Sequence, residues 1–148
     1  MKKIILLVIL CLTLTGCQGT PKQEVDIPFN PNYTLTIELD GESITNTGLS
    51  FAVSEDMENP NTYGEWYEIE KFVDNVWLKV STINTCEFND VGLQVDDDKS
   101  VVFNINWEYC YGALESGEYR IVKYFIPYLE REATEEDREY FYVEFTID

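Results

Sequence analysis

The feature of the sequence that most restricts the fold is the stretch from Leu114 to Phe125, which has the pattern of a tight corner leading into a long β-strand. Gly117 suits the unusual backbone angles of such a corner. The run after it is rich in aromatic and β-branched residues, which favour a pleated, half-buried surface. Leu114, Gly117 and Tyr119 have the spacing of a tyrosine corner, in which the tyrosine begins a late strand of a β-sandwich and its hydroxyl hydrogen-bonds to the backbone upstream. This stretch therefore predicts one strand of an antiparallel sandwich.

Alternation of apolar and polar residues predicts further strands, separated by turn signals. Helical periodicity is nearly absent, so we expect two antiparallel sheets packed face to face. In the strand over 76–80, Val76, Leu78 and Val80 are predicted to point inward. The predicted strands are 33–39, 48–53, 63–72, 76–80, 100–107, 119–126 and 140–147. With an irregular edge segment over 82–98, the total is about seven or eight strands.

The first 16 residues predict a signal peptide. A basic start is followed by an apolar run over 4–14 that is too short to span a bilayer as a stable helix. The next residues, Leu14-Thr15-Gly16-Cys17, resemble the lipobox of bacterial lipoproteins. That resemblance implies a diacylglycerol on the Cys17 thiol, cleavage before Cys17 and stable attachment to the lipid bilayer at the extracytoplasmic face of the cell membrane. The alternative is an ordinary signal peptide with a chance cysteine.

The rest of the chain divides into a tether and one domain. Residues 17–32 are polar, contain three prolines and lack apolar periodicity, which is typical of a flexible tether. Residues 33–148 have the length of one domain with one core. The predicted organisation is a signal peptide over 1–16, a lipidated tether over 17–32 and a β domain over 33–148.

Acidic residues greatly outnumber basic ones, and the formal net charge is −18. Removal of Lys2 and Lys3 with the signal peptide lowers the basic residues from 10 to 8 against 28 acidic ones, which gives −20. Such a surface repels nucleic acid, so we expect no nucleic-acid partner. It favours either plain solubility or the attraction of a cation or a basic partner.

The sequence contains no histidine, which removes the commonest general base and the commonest zinc ligand. Neither a glycine-rich phosphate loop nor a nucleophile elbow is present. We therefore predict no catalytic residue and no cofactor. Of the four cysteines, Cys11 leaves with the signal peptide and Cys17 carries lipid, so Cys86 and Cys110 remain for a disulfide. Whether these two form a bridge stays open at this point, because spacing does not show that their Cα atoms come within reach.

Trp66, Glu68 and Glu70 are the candidate binding residues. They occupy alternate positions in the strand over 63–72, on the face opposite its apolar residues. A tryptophan exposed among acidic groups can anchor a protein or a sugar. The alternative is that Trp66 packs under a loop or a neighbouring side chain. Arg120 is expected to pair with a carboxylate across the sheet, for example one on the last strand, or Glu68 or Glu70.

Two further hypotheses involve the carboxylates. Acidic residues close to aromatic ones could form a glycosidase-like pair, and Asp96, Asp97 and Asp98 could bind Ca²⁺. Alternating carboxylates are also typical of the wet face of an acidic strand. The three consecutive aspartates lack the spacing of an EF-hand loop.

Two runs, 63–70 and 114–123, together with Trp77, Trp107 and Tyr111-Gly112, resemble a bacterial immunoglobulin-like domain family found in Gram-positive lipoproteins and other surface proteins. The resemblance covers roughly the whole predicted domain. It implies an all-β, immunoglobulin-like antiparallel β-sandwich with no established activity. Ile121 lies two residues after the corner tyrosine, where antibody domains have a cysteine, so their usual inter-sheet disulfide is absent.

Together, these observations predict a membrane-anchored extracytoplasmic lipoprotein that acts as a non-catalytic binding or structural module. The expected partner, besides the bilayer, is an extracytoplasmic protein or glycan of unknown identity. The alternative is a small carboxylate-based hydrolase or a calcium-binding surface domain.

Overall fold

The structure, a computed structural model, describes residues 22–26, 34–55, 59–95 and 100–148. Within them, eight strands form two four-stranded sheets. The elements are β1 (Lys22–Asp26), β2 (Thr34–Asp40), β3 (Gly48–Ser54), β4 (Thr62–Val73), β5 (Val76–Lys79), β6 (Ser100–Asn106), helix α1 (Glu108–Tyr111), β7 (Gly117–Ile126) and β8 (Glu139–Ile147). Two short 3-10 turns, Gly41–Ser43 and Glu135–Asp137, complete the described elements.

The two sheets have the orders β1-β2-β3-β6 (sheet 1) and β5-β4-β7-β8 (sheet 2), and every pairing between these strands is antiparallel. The chain changes sheet between β3 and β4, between β5 and β6, and between β6 and β7. Such exchange of consecutive strands between two sheets is characteristic of immunoglobulin-like sandwiches. The predicted all-β antiparallel sandwich is confirmed.

The core lies between the inner faces of the sheets. Trp107, directly after β6, is the largest of its fully buried side chains. Its indole N–H donates a hydrogen bond to the Asn46 carbonyl at 2.9 Å, so the polar atom of this large ring is satisfied. The other inward-facing residues follow strict alternation along the strands and include Leu35, Ile37, Phe51, Val53, Ile69, Phe103, Ile121, Phe125, Phe141 and Val143.

The tyrosine corner predicted from the sequence is present at the start of β7. The Tyr119 hydroxyl donates a hydrogen bond to the Glu115 carbonyl at 2.8 Å, and the Tyr119 ring is buried and stacked on Phe145. Gly117 has a φ of +155°, a conformation that side-chain-bearing residues rarely adopt. The corner therefore fixes the direction in which β7 enters sheet 2.

A bulge in β4 interrupts its pairing with β7. Tyr63 pairs with Phe125 and Tyr67 with Lys123, so the three residues 64–66 lie opposite one residue of β7. The Lys123 side chain points inward and is only 1% exposed. Its ammonium donates hydrogen bonds to the carbonyls of residues 64, 65 and 66 at 2.8, 3.2 and 3.1 Å, and it also lies 4.4 Å from the centre of the Phe103 ring. The ammonium thus satisfies the carbonyls that the bulge removes from the strand ladder.

Burial of this charge is unfavourable by itself and lowers the pKa of Lys123 to about 8, while the Glu65 carboxylate opposes that shift. The charge is tolerated because three acceptors surround it. An ammonium has three donors and no acceptor, so three carbonyls satisfy it fully.

β1 lies inside the segment that the sequence predicts to be a tether over 17–32, and the structure differs from that prediction at Lys22–Asp26. These residues pair with β2, from Lys22 opposite Glu38 to Asp26 opposite Thr34. The side-chain pattern of the segment, KQEVD, has no run of alternating apolar residues. Its strand conformation depends on backbone pairing with the edge of β2, which the side-chain pattern does not signal.

Val76 and Leu78, predicted to point inward, lie by register on the inner side of sheet 2, opposite Val73 and Lys71, but they are 51% and 50% exposed, while Val80 is partly buried. β5 is a short strand at the edge of sheet 2, where the opposite sheet does not cover it. The preceding turn at Asp74-Asn75 has two residues with positive φ and sets the register of the hairpin.

Several predicted features lie outside the described residues. They are the signal peptide over 1–16, the lipidation site Cys17, most of the tether and the three aspartates Asp96, Asp97 and Asp98. In the part of the chain that the structure describes, no helix has the length and apolar character needed to cross a bilayer.

Cys86 and Cys110, whose pairing the sequence left open, are joined by a disulfide in the structure, with Cα atoms 5.4 Å apart. Cys110 belongs to α1 and Cys86 to the long loop between β5 and β6. The same loop contacts the end of α1 through the Ile83 amide, which donates to the Cys110 carbonyl at 2.8 Å. The bridge therefore fastens a loop without regular structure to the core.

Replacement of Lys123 by methionine should lower the free energy of unfolding by about 3 kcal/mol, because three carbonyls lose their donor while the volume of the side chain is kept. Denaturant titration measures the change. Lys79→Met is the matched control: this exposed lysine pairs with Glu68 at the surface, and its loss should change stability by less than about 1 kcal/mol. Equal stability of the two variants would contradict the role given to Lys123.

Reduction of the Cys86–Cys110 disulfide should lower the free energy of unfolding by about 3 kcal/mol, the value expected from loss of a closed loop of this length. Denaturant titration with and without a reductant measures this difference. The double variant Cys86→Ser/Cys110→Ser is the control and should not respond to the reductant. Non-reducing peptide mapping that finds both cysteines as free thiols would contradict the pairing.

Candidate binding site on the outer face of sheet 2

The two outer faces of the sandwich differ in chemistry. On sheet 1, outward positions carry small or polar side chains together with one apolar one, Val102: they include Thr36, Glu38, Ser50, Ala52, Val102 and Asn104. On sheet 2, aromatic side chains cover much of the outer face. We call this surface the aromatic face, and it consists of Trp66, Phe72, Trp77, Tyr124, Tyr140 and Tyr142.

Trp66 lies at the centre of one cluster on the aromatic face. Its ring centre is 5.8 Å from that of Tyr124, at an interplanar angle of 33°, and 6.2 Å from that of Tyr140, at 84°. The three residues come from three neighbouring strands, β4, β7 and β8. Trp66 is half-buried, whereas Tyr140 is 51% exposed. The sequence left open whether Trp66 is exposed or packed against neighbouring residues. In the structure, one part of its ring is packed and the rest remains at the surface.

Gly64 makes room for this cluster. A Cβ atom at position 64 would lie 2.7 Å from ring atoms of Tyr124, well inside contact distance. With glycine there, the Tyr124 ring lies directly against the backbone of the bulge. The bulge then directs Trp66 toward the same ring.

Arg138 closes one side of the cluster, with its guanidinium 4.5 Å from the centre of the Tyr124 ring. It also forms a long ion pair with Glu135 at 3.5 Å. The preceding turn is fixed by a capping box between Thr134 and Asp137 and by an ion pair between Asp137 and Arg131. Hydrogen bonds from Arg131 hold the pKa of Asp137 well below its usual range. This short segment thus holds Arg138 in place by local interactions.

The opposite side is formed by the loop over 81–95, which is attached to the bulge. The Glu65 carboxylate accepts hydrogen bonds from the amide and the side chain of Asn89, at 3.3 and 3.1 Å. Farther along, Leu93 forms a two-way backbone bridge with Tyr63 at 2.7 and 2.8 Å. These contacts place Asn89 and Asp90 beside the aromatic cluster.

Between these walls lies a cleft of about 310 Å³. We call it the Trp66 cleft. Its lining combines four aromatic rings with three polar side chains: an amide, a carboxylate and a guanidinium. The residues concerned are Trp66, Phe88, Tyr124, Tyr140, Asn89, Asp90 and Arg138.

Glu68 and Glu70, the other predicted binding residues, lie on the same outer face but are held in ion pairs. Glu68 pairs with Lys79, and Glu70 accepts a hydrogen bond from Arg120 at 2.5 Å, as was expected for Arg120. The Arg120 guanidinium is sandwiched between the rings of Trp77 and Tyr142, at 4.5 and 4.8 Å. Neither glutamate lines the Trp66 cleft. Of the three predicted binding residues, the structure places only Trp66 in the candidate site.

The described residues contain no group of three or more cysteine, aspartate or glutamate side chains placed to hold a metal ion. The calcium hypothesis for Asp96, Asp97 and Asp98 concerns residues outside the described part and stays a prediction. The absence of a catalytic residue also stays a prediction.

Six residues of the cleft were not predicted from the sequence: Tyr124, Tyr140, Phe88, Asn89, Asp90 and Arg138. Alternation along the last two strands was sufficient to place the two tyrosines on the outer face. Arg138 and Asn89 lie in segments without periodicity, and their positions depend on tertiary contacts, so no sequence signal identified them.

Comparison with known proteins agrees with this architecture. Searches of curated proteins and of solved structures gave no match. Residues 31–142 match the sequence profile of a family described as bacterial Ig-like domain, so the match covers most of the chain. The chain therefore belongs to the bacterial Ig-like domain family.

Proposed function

We propose that the protein is a lipid-anchored extracytoplasmic module that binds a protein or glycan through the aromatic face of its Ig-like domain, without catalysis. The lipobox-like run ending at Cys17 supports the anchor, because two acyl chains on one residue give stable membrane attachment. The Ig-like family supports a surface or structural module in general. Binding is the more specific proposal, and it depends on the aromatic face.

The observation that carries the proposal is the exposure of large aromatic side chains on one outer face of the sandwich. Tyr140 and Tyr142 are 51% and 39% exposed, two residues apart on the same strand. Aromatic and arginine side chains are the residues that most often dominate binding energy at interfaces. Both kinds are combined here: Arg120 and Arg138 lie over aromatic rings of this face.

The contrast with sheet 1 strengthens this argument. The outward positions of sheet 1 carry mostly small and polar residues, as expected for a face that is exposed to solvent. If the aromatic residues served only to fill the sandwich, they would be confined to the inner faces. Their arrangement on one outer surface favours a contact role.

The overall charge of −18 restricts the partner. Such a surface repels polyanions and permits neutral or basic molecules. The ion pairs of Glu68 and Glu70 leave the centre of the aromatic face close to neutral. A neutral glycan or a neutral to basic protein surface fits this distribution.

Site-specific photo-crosslinking in living cells tests the proposal. A photoreactive amino acid at position 140 should give a defined crosslinked species, and one at position 102, which is 59% exposed on the opposite sheet, should not. The species from position 140 should disappear when Trp66→Ala is added. Equal products from both positions, or none from position 140, would contradict binding by the aromatic face.

The anchor is tested in the same cells. The Cys17→Ser variant should leave the membrane fraction if the thiol carries the lipid. Retention of that variant in the membrane would contradict lipid anchoring without affecting the interpretation of the crosslinks.

A further inference from the structure

We infer that the Trp66 cleft binds one ring of a neutral saccharide. This inference rests on the proposed function, since it names the ligand class for a part of the aromatic face. It follows from the shape of the cleft, from the chemistry of its walls and from the charge around it.

The size of the cleft suits a small ligand. Its volume of about 310 Å³ lies at the lower end of the range of about 300–1,000 Å³ that is typical of small-molecule sites. Trp66 and Tyr140 meet nearly at a right angle, 84°, and Tyr124 lies beside both. The rings therefore form a corner with two apolar walls. A protein partner would need a broad flat or grooved surface, whereas a single sugar ring can enter a corner of this size.

A sugar ring has an apolar face of C–H groups and a rim of hydroxyls, each of which both donates and accepts hydrogen bonds. The aromatic corner offers surfaces for the apolar face. On the rim, Asn89 offers both a donor and an acceptor, Asp90 offers acceptors and Arg138 offers donors. Apolar walls with a few polar groups at fixed positions are the usual composition of a small-molecule site.

Arg138 provides the most specific indication. Its Nε atom is buried and finds no hydrogen-bond partner within the described residues. A buried N–H without an acceptor is unfavourable, and such groups call for an explanation. A ligand hydroxyl close to this guanidinium would supply the missing acceptor.

The charge distribution selects a neutral sugar over an acidic one. The guanidinium of Arg138 already faces Glu135, and Asp90 adds a carboxylate to the cleft. The chain as a whole carries −18. A carboxylated or sulfated sugar would meet a repulsive field, which Arg138, already paired with Glu135, offsets only in part.

The cleft is preorganised, which reduces the entropy lost on binding. The bulge carbonyls held by Lys123 fix the backbone at Trp66, and Gly64 lets Tyr124 pack directly against it. Asn89 is held by Glu65.

A larger cleft of about 720 Å³ lies between the loop over 81–95 and β6, but it supports a ligand less well. Its cation, Lys123, donates to three carbonyls and has no proton left for a ligand. Its carboxylates include Glu65, which is engaged by Asn89.

Calorimetric titration of the purified full-length protein in detergent micelles with cellohexaose, mannohexaose and chitohexaose tests the inference, with hexagalacturonate as the acidic comparison. At least one neutral hexasaccharide should bind, and hexagalacturonate should not. Tyr140→Ala should weaken that binding about tenfold or more, as for a residue that dominates an interface. Asp90→Ala should also weaken it.

Tyr128→Ala is the matched control, because Tyr128 is a tyrosine with the same exposure as Tyr140, 51%, but lies outside both the Trp66 cleft and the aromatic face. It should change affinity by less than about twofold. The melting temperature and circular dichroism of each variant are compared with those of the parent to check that the variant is folded. Because the Tyr140 side chain is exposed, we expect its replacement by alanine to preserve the fold.

Three results would overturn the inference: no binding of the neutral hexasaccharides at millimolar concentration, binding that is unaffected by Tyr140→Ala, or preference for hexagalacturonate. If position 140 still gives a crosslinked protein in cells, the proposed binding function stands and only the ligand class is wrong. If neither a saccharide nor a crosslink is found, both fail.

Discussion

The buried ammonium of Lys123 is the interaction on which the candidate site depends. It lies between the sheets, where a charged group is poorly solvated, and it is retained because the carbonyls of residues 64–66 lie within 2.8 to 3.2 Å. Those carbonyls have lost their partners in the strand ladder because three residues of β4 face one residue of β7. Each partner therefore compensates an unfavourable feature of the other: the bulge solvates the lysine, and the lysine stabilises the bulge.

Each of the three residues in this bulge has a different role at the surface. Gly64 leaves space for the Tyr124 ring, Glu65 holds the loop through Asn89, and Trp66 forms a wall of the cleft. In a regular strand, alternate residues point to opposite faces of the sheet. Three consecutive residues could then not all contribute to the same part of one surface. The bulge thus links a buried charge to an outer binding surface. Arg138 completes that surface from the end of the turn before β8.

Much of the fold follows from the sequence because strands of a sandwich have a two-residue period, and the corner at Tyr119 has a recognisable spacing. The pairing of Arg120 with a carboxylate was also predictable, because both neighbouring strands place a glutamate opposite it, Glu70 on β4 and Glu144 on β8. β1 escaped prediction because its strand pairs through the backbone without an apolar pattern. Lys123 shares the inward positions of Ile121 and Phe125, but burial of a charged side chain is not expected until its three acceptors are known. The cleft was only partly predictable for the same reason, since Asn89 and Arg138 reach it through tertiary contacts.

The most direct test of this account is the nuclear Overhauser effect between the ring protons of Trp66 and Tyr124, compared in the parent protein and in Lys123→Met. The account predicts clear cross-peaks in the parent and their loss in the variant, because the backbone that directs Trp66 is released. Cross-peaks between Tyr119 and Phe145, which stack at the other end of sheet 2, should persist in both and show that the variant is folded. Unchanged Trp66–Tyr124 cross-peaks in the folded variant would contradict the claim that Lys123 positions the site.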